Sequence, residues 1–93
     1  MTEIHVRCQT TADGWTCTVA VEPDDAGAAA HEVRVGREDL ARLAPGAIDP
    51  ADLVRRSFEF LLEREPRESI LRRFDLAVIG RYFPEYESII REG

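Results

Sequence analysis

The chain has 93 residues, 44% of them hydrophobic and 32% charged, with a formal net charge of −6. That apolar fraction excludes a disordered chain, and the length suits one small domain rather than two. The acidic balance disfavours non-specific binding to nucleic-acid phosphates, and no stretch approaches the ~18–20 apolar residues that span a bilayer.

Charge is unevenly spread. All 12 basic residues are arginine, and residues 1–49 carry four of them against nine acids, whereas residues 50–93 carry eight against nine. Met1 to Gln9 is polar-alternating and no apolar leader core follows it, so a cytoplasmic protein is expected. Cys8 and Cys17 are then expected as thiols.

The first half reads as strands. Ile4, Val6 and Cys8 alternate with His5, Arg7 and Gln9. Trp15, Cys17, Val19 and Val21 alternate with Thr16, Thr18, Ala20 and Glu22. Period-two patterns of this kind predict half-buried strands. Thr11-Ala12-Asp13-Gly14 suits a four-residue hairpin loop with glycine last. The loop sets a register: Thr10 opposite Trp15, Cys8 opposite Cys17, Val6 opposite Val19, Ile4 opposite Val21. A slip by one residue would turn every apolar member to the wrong face. Pro23 to Gly27 breaks the second strand, and Val33 and Val35 mark a third over about 31–36, with His31 expected beside Val21. The outer face carries His5, Arg7, Thr16, Thr18, Glu32 and Arg34. A three-stranded antiparallel meander with one dry face is predicted. Its first and third strands are expected as exposed edges.

The second half reads as helices. Arg37 to Leu43 predicts two turns, stopped at Ala44-Pro45-Gly46. Asp49-Pro50 is a start signal for a helix running to about Arg64 or Glu65, before Pro66. Leu53, Val54, Phe58, Phe60, Leu61 and Leu62 cover an arc of roughly 200° at 100° per residue, which is too wide for a sheet contact alone. That helix is therefore expected between the sheet and the C-terminal segment. Pro66 is read as restarting a short helix to about Arg73, Asp75 as capping another to about Tyr82, and Pro84 as opening a last one over about 84–91. Six of the seven aromatic residues follow residue 57. The fold class is α+β: a single domain of 1–93, with a meander over 1–36 packed on one face by a helical layer over 37–93.

Candidate chemistry is sparse. Cys8, Cys17, His5 and His31 suggest zinc, but neighbours on a strand face opposite sides, so His5 points away from Cys8, and His31 is not beside Cys17. Two small buried thiols are the simpler reading. A cross-strand disulfide is geometrically conceivable, and a reducing compartment argues against it. A reactive thiol needs an electropositive, partly exposed setting, which the acidic half does not offer. Paired carboxylates such as Asp24-Asp25, Glu38-Asp39 and Glu63 with Glu65 read as solvated charges. No phosphate-cradling glycine loop or nucleophile elbow is present. No catalytic residue, cofactor or metal is assigned.

Two clusters stand out. Arg55, Arg56, Arg72 and Arg73, with Arg64 and Arg67, form the one basic concentration and are candidate anion contacts. Acids interleave them, so helix-face pairing of Arg64 with Glu68 and of Glu68 with Arg72 competes with that reading. Tyr82, Phe83 and Tyr86 are either core or a partner anchor, because aromatic residues dominate interface energetics.

The run Ser57-Phe58-Glu59-Phe60-Leu61-Leu62-Glu63-Arg64-Glu65-Pro66, then Ser69-Ile70-Leu71, Phe74-Asp75-Leu76, Ile79 and Tyr82-Phe83-Pro84-Glu85-Tyr86-Glu87, resembles a block in small uncharacterised prokaryotic proteins. It covers about a third of the chain. The resemblance implies a self-contained domain and no activity or site residue. The expected function is a non-enzymatic protein-interaction module, with a protein partner or a homodimer. The alternative is a nucleic-acid-associated or regulatory accessory protein working through the arginine-rich helix faces. A ligand pocket between sheet and helices, near His31, is a third reading.

Overall fold

A computed structural model describes residues 3–22, 30–66 and 69–92. The chain is α+β. Strands β1 (Glu3–Thr10), β2 (Gly14–Glu22) and β3 (His31–Gly36) lead into helices α1 (Arg37–Leu43) and α2 (Ala51–Arg64). Strand β4 (Arg73–Asp75) follows, then a tight helical turn over Leu76–Val78 that runs into α3 (Ile79–Tyr82), and finally α4 (Tyr86–Glu92).

The β1–β2 hairpin forms in the expected register, from Ile4 opposite Val21 to Thr10 opposite Trp15. The Thr11 amide donates to the Gly14 carbonyl at 2.8 Å and closes the loop. Glycine is required at position 14 by crowding: a Cβ there would lie 2.1 Å from the Val35 carbonyl oxygen on β3. Cys17, Val19, Val21, Val33 and Val35 are buried on the inner face, with Ile4, Val6 and Cys8 half-buried beside them.

The sheet departs from the predicted meander. It has four strands in the order β1-β2-β3-β4, and β4 runs parallel to β3. Residues 73–75 are thus extended where the sequence suggested the end of a helix. The cause is non-local. The edge of β3 needs partners for its backbone groups, and the Glu32 amide finds the Arg72 carbonyl at 2.6 Å. Among the described residues the sheet's free edges are accordingly β1 and β4, not β1 and β3. Asp75 does not cap the turn that follows it, because its carboxylate takes Arg34 Nε at 3.0 Å across the parallel pair. His31 faces Val19 rather than Val21.

The cysteines are not thiols: Cys8 and Cys17 form a disulfide. Their Cα atoms are 4.0 Å apart, as in the close, non-hydrogen-bonded class of antiparallel pair, and both side chains leave the sheet on the same face. Facing geometry prevails over the compartment argument.

Helix α2 is sandwiched as its wide apolar arc requires. Phe58, fully buried, meets His31 of β3 and Phe74 of β4, with ring centroids 5.3 and 6.1 Å away. On another side Phe60 meets Tyr86 at 5.2 Å and Phe83 at 5.7 Å. The helix start is as read, shifted by one residue: Asp49 Oδ1 accepts from the Ala51 amide at 3.0 Å, and Pro50 precedes the first full turn.

Candidate functional site

The arginines expected to bind anions divide into two groups. Arg55 donates to Asp52 and, at 3.0 Å, to Glu59 Oε2, one turn away on either side. Arg56 donates to Asp52 Oδ2 at 3.0 Å and to the Ile90 carbonyl at 2.9 Å, pinning α4 to α2. Donation from Arg55, then from Arg56, holds the Asp52 carboxyl below its ordinary range, and Asp52 and Glu59 raise Arg55. Both guanidiniums are occupied, Arg55 by its own helix and Arg56 by α2 and α4. Arg64 lies 3.7 Å over the Phe60 ring and pairs with Glu63 and Glu85, while Glu68 and Arg67, its expected neighbours, lie outside the described residues. Arg72 and Arg73 are different. Both are exposed, and their side chains have no partner among the described residues.

The aromatic cluster also divides. α3 ends at Tyr82 and α4 starts at Tyr86, and the turn between them sends the rings to different surroundings. Tyr86 is 1% exposed. Its hydroxyl donates to Ser57 Oγ at 2.7 Å, because Ser57 spends its own proton on the Leu53 carbonyl at 2.8 Å. Phe83 is half-buried on Phe60. Tyr82 is 69% exposed. Tyr86 is therefore core and Tyr82 is surface.

Burial pushes the Tyr86 phenol from 10.0 up to about 12, outweighing the opposing influence of Ser57 and of the nearby Arg56. The folded value lies above the unfolded one. The neutral form thus stabilises the fold fully below pH 10, and that contribution is lost as pH climbs from 10 to 12. A shift of this size corresponds to about 2–3 kcal/mol. Tyr86→Phe is expected to remove this alkaline loss, so urea midpoints of the two proteins should change differently between pH 9 and pH 12 and similarly below pH 9. Parallel curves throughout would contradict the assignment.

His31 is 5% exposed. Its Nδ1 lies 2.9 Å from the Leu71 carbonyl, which can only accept, so the proton sits on Nδ1. His31 thereby ties the start of β4 to β3. His5 lies on the opposite sheet face, 3.6 Å from Glu3, and the two sulfurs bond to each other, so the four residues considered for zinc do not converge.

Of the residues that do converge on a surface, the sequence reading named Tyr82, Phe83 and Arg73 and missed the others. Leu61, Ile70, Leu71, Phe74, Val78 and Tyr82 line a groove of ≈ 250 Å³ between the end of α2, β4 and α3. A second cleft of ≈ 730 Å³ adjoins it over Leu71, Phe74, Val78 and Tyr82 and is edged by Arg34, Arg73 and Arg81. Leu71 is 52% exposed between the two. The signal that could have found this face is Leu71, an apolar residue directly before a pair of arginines. Comparison with family models, with curated proteins and with solved structures gives no match to this chain.

Proposed function

We propose that the protein is a non-enzymatic interaction module that docks an extended, acidic segment of another protein on the β4–α3 face. The observation that carries this reading is Leu71 and Tyr82, two large exposed apolar side chains flanking a free strand edge. In the parallel ladder the Arg72 carbonyl is turned toward β3, so the amide and carbonyl of Arg73 are turned outward. A docked strand would take two hydrogen bonds there and seat apolar side chains beside Leu71 and Tyr82. Arg34 neutralises Asp75, and of the other residues lining the two clefts Arg73 and Arg81 stand against Glu32 and Glu65; the exposed Arg72, next in the chain to Leu71, adds one further positive charge. That local positive balance on a chain of −6 favours acidic flanks on the ligand.

The disulfide weighs against the cytoplasmic placement expected from the sequence, because a reducing compartment keeps such pairs as thiols. Among the described residues no helix is long and apolar enough to cross a membrane.

The tagged full chain, used as bait in extract from its own cells, is expected to retain a partner that the Leu71→Ser/Tyr82→Ser variant loses by more than tenfold. Ile48→Ser, which alters a 90% exposed residue at another surface, should retain it fully. Equal retention by all three would remove the proposed face. Retention abolished by nuclease would transfer the reading to nucleic acid held by Arg72 and Arg73.

A further inference from the structure

The opposite edge of the sheet has a different character, independent of the β4–α3 face. β1 is terminal, eight residues long, and contains neither proline nor glycine. Long regular edges of this kind are templates for pairing with another chain. We propose that a second copy of this chain pairs with β1, strand against strand and antiparallel, with His5 on the twofold axis.

Backbone parity decides which groups are on offer. Thr11 donates to Gly14 and the Cys8–Cys17 pair is of the close class, so the odd-numbered residues of β1 hydrogen-bond to β2. The amides and carbonyls of Ile4, Val6 and Cys8 are therefore turned to the free edge. With Ile4 opposite Val6 of the second copy, and the reverse by symmetry, four of these groups on each chain are satisfied.

The same register brings opposite charges together. Glu3 stands opposite Arg7 of the second copy, twice, on the polar face of the sheet, where directly facing side chains of a non-hydrogen-bonded pair are closest. Within its own chain Arg7 has no side-chain partner among the described residues, and Glu3 has only His5 at 3.6 Å. Parity permits only two-residue shifts. In one direction these set Arg7 against His5 and then against Arg7 itself, and in the other Glu3 against His5 and then against Glu3 itself, so the register with His5 on the axis is the one that faces a carboxylate with a guanidinium. On the inner face, Ile4 borders a groove of ≈ 700 Å³ that runs between β1 and Leu62 of α2. Ile4 and Val6 of both copies, half-buried in the monomer, would meet on that face across the new strand pair.

The contact is short and belongs with weak, transient interfaces, so association is to be read at high protein concentration. Sedimentation of the wild-type full chain at low salt should show a monomer–dimer equilibrium. Glu3→Arg and Arg7→Glu should each weaken it by roughly tenfold, since both place like charges opposite each other. An equimolar mixture of the two variants should dimerise at least as well as wild type, because every facing pair is then of opposite sign. That recovery also shows that both variants are folded. A wild-type chain that stays monomeric, single variants that associate like wild type, or a mixture that fails to recover association would each overturn the proposal.

Discussion

Phe58→Ala is expected to be the most damaging single truncation in the protein. The ring is fully buried and lies where α2, β3 and β4 meet, against His31 and Phe74. Its removal forfeits the transfer free energy of an aromatic side chain and leaves a space that three elements cannot all close, a cost of about 3–5 kcal/mol. Domains of this size have about 5–15 kcal/mol in total, so the variant should lose a large share of its stability. Urea titration followed by circular dichroism measures the loss. Ile48→Ala, at a 90% exposed site, should cost less than about 0.5 kcal/mol in the same assay. A loss below about 1 kcal/mol for Phe58→Ala would mean that α2 does not close over the sheet as described.

Reduction of Cys8–Cys17 ranks second. The bond spans nine positions, and closing a loop of that length removes about 2–3 kcal/mol of unfolded-chain freedom. The register of the β1–β2 hairpin does not depend on it, because the turn and the apolar pattern set the same pairing. Reductant, or the Cys8→Ala/Cys17→Ala variant, should therefore lower the urea midpoint while leaving the native circular dichroism spectrum in place. Equal midpoints with and without reductant would contradict the cross-link's contribution. A lost native spectrum would show that the strand pairing needs the bond.

What the sequence made legible was local. The hairpin was readable because its turn residues and its period-two pattern are adjacent in the chain and agree. The long helix was readable from Asp49-Pro50, its apolar arc and Pro66. β4 was not, since three residues are too few to show alternation. Its extended shape comes from pairing with β3, about 40 positions earlier. The disulfide was half legible: the register already placed Cys8 opposite Cys17, and an assumption about compartment set the pairing aside. Arg55 and Arg56 were readable as helix-face pairs because Asp52 and Glu59 stand three or four residues away. The same logic failed for Arg72, which is not on a helix. Tyr82, Phe83 and Tyr86 could not be separated into surface and core, because which rings reach Phe60 depends on how α3 and α4 sit against α2, a non-local arrangement.

The central claim is that a partner docks on the face containing Leu71 and Tyr82. A photoreactive amino acid placed at position 82 of the full chain, irradiated inside intact cells, tests it most directly, with position 48 as the exposed apolar comparison. A discrete covalent adduct to another protein is expected from position 82 and none from position 48. Absence of an adduct from position 82, or the same adducts from both positions, would contradict that claim.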